Sequence, residues 1–192
     1  MRYSMRFAVP LITASVLSFV DCATAQQRRD VAAIDEFAAR GQRDARAIEY
    51  GDWEKVCFKP GGAKMVCRTT IAGRFETGQI AVRAYIVERE GDNVARIQLL
   101  LPVGLYVPAG VKLTVDDRTA YTIPFTWCLT NTCIAADPTP PAMLREMENG
   151  RSLAIEVVDT NMLAVKTSVP LDHFAEVRRG APVKTYEQTI EE

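Results

Sequence analysis

The stretch Ile80–Leu101, IAVRAYIVEREGDNVARIQLLL, determines the fold class. Its two halves flank Gly91-Asp92-Asn93, a combination typical of the tight turn between two strands. One apolar and one polar face per strand is typical of an antiparallel sheet that covers a core. The stretch therefore predicts a β-hairpin with one buried face. The alternating apolar positions are Ile80, Val82, Ala84 and Ile86 in the first half, and Ile97, Leu99 and Leu101 in the second.

The same alternation with a period of two recurs on both sides of this hairpin. At least seven short alternating segments separated by turn residues are typical of a β-sandwich or barrel. The sequence therefore predicts a mainly β fold, an antiparallel β-sandwich or barrel-like domain. The other alternating segments are Met65–Ile71, Val111–Val115, Tyr121–Leu129, Leu153–Val157 and Leu163–Val169.

Proline and turn residues mark where these strands end or bend. Pro124 lies inside an alternating segment and cannot donate a hydrogen bond to a neighbouring strand, so we expect an edge strand or a bend there. Residues 116–119, Asp-Asp-Arg-Thr, predict a turn between two strands. Asn161 predicts another turn before the last strand.

One short helix is predicted near residues 140–149. Thr139 is placed to cap it, Pro140 and Pro141 suit its first turn, and the helical residues run to Asn149. Gly150 is then expected to end the helix in the left-handed conformation. The apolar residues Met143, Leu144 and Met147 share one side, and we expect them to close one end of the core.

Composition and charge exclude several classes of function. The 192 residues are 48% hydrophobic and 24% charged, which suits one globular domain with an appendage. The net charge of −1 argues against a protein that neutralises nucleic-acid phosphates. The single histidine, His173, argues against a histidine-rich metal site and against a histidine-dependent triad. The sequence predicts no cofactor and no metal.

Residues 1–25 have the three parts of a secretory signal peptide. Arg2 and Arg6 precede an uncharged, mostly apolar run over residues 7–20, and Ala23-Thr24-Ala25 forms a cleavage site. The run is shorter than the roughly 20 residues that span a bilayer, although a retained anchor is the alternative interpretation. We expect cleavage following Ala25, no stable transmembrane anchor in the mature chain, and a periplasmic or secreted protein.

Two segments flank the predicted β domain of residues 50–180. Residues 26–49 are highly charged, and Val31, Ile34 and Phe37 lie at helical spacing before Gly41 interrupts it. This segment is interpreted as a charged, partly helical N-terminal spacer, with a helix that docks on a partner as the alternative. Residues 181–192 are predicted to form a C-terminal tail.

Cleavage after Ala25 removes Cys22 and leaves an even number of cysteines. Near neighbours along the chain, within predicted hairpins or turns, are the pairs most easily joined, and disulfides suit an exported protein. A zinc site is the first alternative, but the spacing of the first pair, C-x9-C, departs from structural zinc motifs. A redox-active dithiol is the second, but it is normally C-x-x-C and the second pair is C-x4-C. The predicted disulfides are Cys57–Cys67 and Cys128–Cys133.

The chain from Gly51 onward resembles the invasion-associated locus B family of exported alphaproteobacterial proteins. The resemblance covers roughly residues 50–180, with His173 at a position where the family usually has a small residue. It implies a secreted or periplasmic β-sandwich-like domain associated with host-cell invasion, and no established reaction or cofactor. The matching pieces are Gly51-Asp52-Trp53 leading to Cys57 and Cys67, the segment Leu101–Leu113, Pro124-Phe125 leading to Cys128 and Cys133, the helix before Gly150, and Pro170–Phe174.

The segment LPVGLYVPAG, residues 101–110, predicts a connection with a constrained backbone. Pro102 and Pro108 fix φ, while Gly104 and Gly110 permit positive φ. We interpret it as a rigid crossover at one end of the domain. A presented binding loop, with Tyr106 at its centre, is the alternative.

No catalytic motif identifies a reaction. The sequence has no phosphate-binding loop, zinc-protease helix or nucleophile elbow. His173 beside Asp172 is a candidate general base, but a surface or capping role is preferred. Trp53 and Trp127 lie near cysteines, and we expect both to pack on disulfides or core, with a platform for sugar stacking as the alternative.

Two functions follow from these observations. The first is an exported non-catalytic β-rich module of the bacterial envelope or exterior, which binds an envelope or host-surface protein or glycan and thereby contributes to host-cell interaction or invasion. The alternative is an envelope hydrolase whose site no motif reveals. A cleft in which several polar side chains converge would favour the hydrolase.

Overall fold

The computed structural model describes residues 39–188. The predicted signal peptide and the helical spacing around residues 31–38 lie outside the described residues. Within residues 39–188, thirteen strands and two α-helices follow one another along the chain. They are β1 (Gly41–Asp44), β2 (Ile48–Tyr50), β3 (Glu54–Lys59), β4 (Val66–Phe75), β5 (Ile80–Arg89), β6 (Arg96–Leu101), β7 (Val111–Val115), β8 (Ala120–Ile123), β9 (Phe125–Cys128), β10 (Cys133–Pro138), α1 (Pro141–Asn149), β11 (Ser152–Val158), β12 (Leu163–Pro170), α2 (Phe174–Arg179) and β13 (Lys184–Glu187).

The described strands form two sheets. One contains five strands in the order β1-β12-β11-β7-β8. The other follows the order β13-β3-β4-β5-β6-β10-β9, with β2 paired to β4 beside this path. Neighbouring strands are antiparallel except at two outer positions, where β1 pairs with β12 and β13 pairs with β3 in parallel. Neither sheet closes on itself. Of the two arrangements that the sequence predicts, a sandwich and a barrel, the fold is therefore the sandwich.

The hairpin of β5 and β6 confirms the prediction from residues 80–101. Ile86 lies opposite Ile97, and Ala84 lies opposite Leu99. Gly91 has a φ of 80° at the turn, a conformation that glycine adopts without steric cost. The inward face of this hairpin joins a single buried cluster with β7, β11 and β12 of the other sheet. The apolar faces of both sheets therefore meet in one core.

Pro124 is the point at which the chain passes from one sheet to the other. The predicted strand over residues 121–129 is two strands, because β8 pairs with β7 in the five-stranded sheet and β9 pairs with β10 in the other. Both are the last strand of their sheet path, so Pro124 lies where its missing donor interrupts no central ladder. The expected bend is confirmed.

The segment from Pro102 to Gly110 is the rigid crossover that the sequence predicts. It leaves β6 of one sheet and enters β7 of the other. Gly104 and Gly110 have φ angles of 89° and 67°, and residues 107–109 form a 3-10 turn. A Cβ on Gly110 would lie 2.8 Å from the carbonyl oxygen of Ile123, so the backbone conformation and the close approach both require glycine.

Helix α1 lies where it was predicted, but both of its predicted ends are wrong in detail. Pro140, not Thr139, occupies the N-cap position, and no side chain caps the helix. Gly150 has an extended backbone (φ −89°), not a left-handed one. Crowding explains why position 150 is a glycine, because a Cβ there would lie 2.5 Å from Cγ1 of Val115. Met143 and Met147 are buried and close the core as expected.

The flanking segments differ from the predicted spacer and tail. Part of the spacer, residues 41–49, contributes β1 and most of β2, and part of the tail contributes β13. Helix α2, which follows His173, was also not predicted. Strands β1 and β13 are four residues long and their described side chains are exposed, so backbone pairing holds them and no apolar alternation reveals them. Strand β2 has only three residues, two of them partly buried, and is too short for its alternation to predict a strand. The domain therefore extends beyond residues 50–180.

Candidate functional site

The four cysteines of the described region form the two predicted disulfides. Cys57 lies directly opposite Cys67 on β3 and β4, and Cys128 lies opposite Cys133 on β9 and β10. Each bridge therefore clamps an antiparallel strand pair. Thiols held in disulfides are not available as zinc ligands or as a reduced dithiol, and no cluster of metal-ligating side chains occurs elsewhere in residues 39–188.

The second disulfide clamps a hairpin that exposes two large apolar side chains. Trp127 is 64% exposed and Leu129 is 57% exposed. Residues 129–132 form the tip, where the amide of Leu129 donates to the carbonyl oxygen of Thr132 at 2.7 Å. The expectation that Trp127 packs on core or disulfide is thus wrong. The chain changes sheets at Pro124, so Trp127 does not continue the buried face to which Ile123 belongs.

This surface, which we call the Trp127 hairpin (residues 125–135), also ends a sheet. Strand β9 is the last strand of its path, and its pairing with β10 shifts in register between Ile134 and Ala135. An edge strand presents backbone donors and acceptors that a partner can pair with. The hairpin therefore combines exposed apolar side chains, an open backbone edge and a covalent clamp.

Trp53 behaves as the sequence predicts and belongs to the core. It is 5% exposed, and its indole Nε1 donates to the carbonyl oxygen of Pro170 at 2.8 Å. Its ring packs on Phe174 of α2. Trp53 is therefore not available as a platform for sugar stacking.

His173 is a surface residue at the start of α2. It occupies the N-cap position with a φ of 59°, and its side chain does not cap the helix. Its Nδ1 lies 3.0 Å from Oε2 of Glu176, and this hydrogen bond raises the pKa of the imidazole above 6.5, with a smaller contribution from the charge of Asp172. In the described region no hydroxyl or thiol is hydrogen-bonded to this ring, so the geometry assigns it no nucleophile to activate.

Asp116 and Asp117 form the predicted turn. Both have positive φ, and the amide of Arg118 donates to the carbonyl oxygen of Val115. The Asp116 carboxylate accepts hydrogen bonds from the amides of Arg151 and Ser152, which lower its pKa. This carboxylate therefore ties the turn to the start of β11.

A polar groove on the sheet that contains β4 and β5 is the nearest feature to a hydrolase cleft. Its carboxylates are Glu49, Asp52 and Glu54, and they share the groove with Arg74 and Arg83. Among the described side chains that line it, no hydrogen bond joins a hydroxyl to a carboxylate. Within the described residues, the groove therefore brings three carboxylates and two guanidinium groups together without a hydroxyl hydrogen-bonded to a carboxylate.

The fold and these features define a class: a two-sheet β-sandwich clamped by two cross-strand disulfides, which are typical of an oxidising compartment outside the cytoplasm. Within residues 39–188, no helix is long and apolar enough to cross a bilayer.

The comparisons with known proteins place the chain within this class. The family model described as "Invasion associated locus B (IalB) protein" matches residues 53–182, so the chain belongs to that family, as its resemblance predicts. The crystal structure of invasion associated protein B from Bartonella henselae is similar, with a TM-score of 0.60 and 20% identity over 69% of this chain and 92% of that one. No curated protein sequence matches the chain.

Proposed function

We propose that this protein is an exported, non-catalytic module that binds a surface protein through the Trp127 hairpin. The carrying observation is the exposure of Trp127 and Leu129 on a disulfide-clamped hairpin. When a partner covers large apolar side chains that are otherwise exposed to water, the free energy of the complex is lowered. Tryptophan is also enriched among the residues that dominate binding energy.

The clamp and the edge favour the same interpretation. The Cys128–Cys133 bridge restricts the hairpin before binding, which lowers the conformational entropy lost on association. The open side of β9 can accept a strand or an extended segment from a partner. Both features support a preformed contact surface.

A protein partner suits this surface better than a glycan. Sugar-binding sites place hydrogen-bonding side chains around the aromatic ring that stacks on the sugar. Beside Trp127 the hairpin presents Leu129, an exposed aliphatic side chain that a protein partner can cover, while its exposed polar side chains at the tip are Thr130 and Asn131. A glycan is therefore the competing outcome of the experiment below.

Export is part of the proposal. The signal-like residues 1–25 provide the route, with cleavage following Ala25 and a periplasmic or secreted mature chain. The two disulfides support this destination because they persist in oxidising compartments. The Bartonella relative is titled an invasion associated protein. By extension, the partner of this chain is a protein of the envelope or of a host-cell surface.

Site-specific photocrosslinking in living cells tests the proposal. A photoreactive residue replaces Thr130 at the hairpin tip, or Thr77 in the exposed turn between β4 and β5 as the matched control. We expect a discrete protein adduct from position 130 that is lost when Trp127→Ser is added. Equal adducts from both positions, no adduct from position 130, or a protease-resistant glycan adduct would contradict the proposal.

A further inference from the structure

A cavity of about 270 Å³ opens between the two sheets, beside the start of the crossover. Strands β4, β5 and β6 contribute to it from one sheet, and β1, β11 and β12 contribute from the other. Its inner wall is apolar and belongs partly to the core. The buried lining residues are Ala81, Val82, Leu101 and Ile155, and the less buried apolar ones are Ile48, Phe75, Leu105, Val157 and Val165.

Two arginines are the charged residues of this lining. Arg43 donates through Nε to Oδ2 of Asp159 at 2.8 Å, which orients its guanidinium. Arg46, by contrast, has no carboxylate within ion-pair distance among the described side chains. Asp159 therefore neutralises the charge of Arg43. The charge of Arg46 is not compensated by a described carboxylate, so it makes the cavity lining positive.

The carboxylate that orients Arg43 is itself fixed. Asp159 is 4% exposed, and its Oδ1 accepts hydrogen bonds from the amides of Asn161 and Leu163. The bond from Arg43 thus uses Nε and the opposite carboxylate oxygen. In the part of the chain that the structure describes, the terminal nitrogens of Arg43 have no protein acceptor, so they remain able to donate.

The crossover forms one wall of the cavity and is held in place. Leu105 forms a bridge with Asp159, and the carbonyl oxygen of Gly104 accepts from the amide of Thr160 at 3.2 Å. The amide of Tyr106 donates to the carbonyl oxygen of Val158 at 2.8 Å. The cavity is therefore preformed, and ligand binding does not have to order this wall.

We infer that this cavity binds an amphipathic monoanion with one short hydrocarbon chain, the chemistry of a medium-chain alkyl carboxylate. The chain lies against the apolar wall, where its burial is favourable. The carboxylate accepts charge-assisted hydrogen bonds from Arg46 and from the terminal nitrogens of Arg43. The inference is independent of the Trp127 hairpin, because the two sites share no lining residue.

The volume of the cavity limits how many hydrocarbon chains its ligand can have. Pockets for drug-sized ligands start at about 300 Å³, so this cavity suits one short chain and not a two-chain lipid. A free single-chain anion and the acyl chain of an anionic membrane lipid offer the same groups. We propose that the ligand is the free anion, and the experiment below distinguishes it from a membrane lipid.

Calorimetric titration of the purified, disulfide-bonded protein with octanoate tests the inference. The neutral analogue with the same chain length is 1-octanol, and the membrane source is represented by phosphatidylglycerol vesicles in a sedimentation assay. We expect one octanoate per chain, about fivefold weaker binding of 1-octanol, and no vesicle binding above that of neutral vesicles.

Two variants locate the site, each with a matched control. Arg46→Gln removes the unpaired charge and is expected to weaken octanoate binding about fivefold. Arg118→Gln makes the same change in net charge at an exposed turn and should leave binding unchanged. Ala81→Leu fills the cavity and should abolish binding, while Ala63→Leu on an exposed turn should not.

Several results would overturn the inference. They are an absence of octanoate binding at millimolar concentration, equal binding of 1-octanol, equal effects of Arg46→Gln and Arg118→Gln, or binding to vesicles alone. If Ala81→Leu fails to fold, as judged by circular dichroism, the Arg46 and Arg118 pair still decides the outcome because both side chains are on the surface. Loss of partner crosslinking from position 130 leaves the inference untouched.

Discussion

Trp53 and Phe174 pack with their ring centroids 4.8 Å apart and their planes inclined at 59°. Trp53 precedes β3, and Phe174 is the first residue of α2. Tilted aromatic pairs at this separation stabilise a fold by more than the burial of their surface area accounts for. The contact therefore anchors α2, a short helix with little stability of its own, to the beginning of the family-matching region.

Phe174→Ala is expected to lower the free energy of unfolding by about 3–5 kcal/mol, the usual cost of removing a fully buried phenylalanine. Urea denaturation measures the change. Phe58→Ala is the control, because Phe58 is only half-buried and stacks on Tyr186 at 5.4 Å. An equal loss in both variants would show that the Trp53–Phe174 contact has no special role.

The two disulfides are expected to contribute unequally to stability. The Cys57–Cys67 bridge closes a separation of 10 residues and Cys128–Cys133 one of 5. Loop entropy then gives about 3 kcal/mol for the first and about 2 kcal/mol for the second. Urea unfolding of the two double Cys→Ser variants tests this order. A larger loss from the second pair would contradict it.

Asp159 is expected to make stability depend on pH in the acid range. The hydrogen bond from Arg43, followed by those from the amides of Leu163 and Asn161, lowers the pKa of this carboxyl below 3.8. Its stabilisation is therefore complete above pH 3.8 and is lost as the pH falls through the lower folded-state pKa. Asp159→Asn should lower the urea midpoint at pH 7, and its difference from the wild type should shrink in acid.

Asp117→Asn provides the control for this measurement. The Asp117 side chain is 90% exposed and lies 3.7 Å from Nζ of Lys166, an arrangement that contributes little in water. Its urea midpoint should stay close to that of the wild type. If the difference in urea midpoint between Asp159→Asn and the wild type stays the same in acid, the lowered pKa assigned to Asp159 is refuted.

The His173 imidazole should titrate above its ordinary pKa of 6.5, because Glu176 and its hydrogen bond favour the protonated ring. The small stabilisation from this pair is present below pH 6.5 and is lost as the pH rises through the raised pKa. A proton NMR titration should show the pKa returning toward 6.5 in Glu176→Gln, with a smaller change in Asp172→Asn. The reverse order would contradict the structure.

Alternation with a period of two predicted the central strands because each has one face on the core. Ile86 and Ile97 are both 1% exposed and lie opposite each other in the expected hairpin. The cysteine pairs were predictable for a related reason. Residues close in sequence and directly opposite on paired strands are within reach of one bond.

The outer elements were not predictable from the same signal. All four residues of β13 are exposed, so its parallel pairing with β3 leaves no apolar pattern in the sequence. Arg43 and Arg46 of the cavity lie in the segment that was interpreted as a charged spacer, because their role depends on contacts distant in sequence. An Arg-x-x-Arg pair just before the apolar Ile48 was the only local signal.

Trp127 shows the same limit at the candidate contact site. Alternation placed it on one face with Ile123, an inference that assumes a continuous strand. The chain changes sheets at Pro124, so the two residues belong to different surfaces. The proline was visible in the sequence, but its consequence depended on which strands pair on each side.

The central claim is that the protein works by contact through the Trp127 hairpin. The most direct test is quantitative pull-down from envelope and host-surface fractions, comparing the Trp127→Ser, Leu129→Ser double variant with a Val94→Ser, Val183→Ser control that also removes two exposed apolar side chains. Both variants should retain wild-type stability, because exposed substitutions usually change it by about 0.5 kcal/mol or less. The account predicts that the hairpin variant loses the partner while the control recovers it at the wild-type level. Equal recovery by the two variants, or recovery of no partner by the wild type, would contradict it.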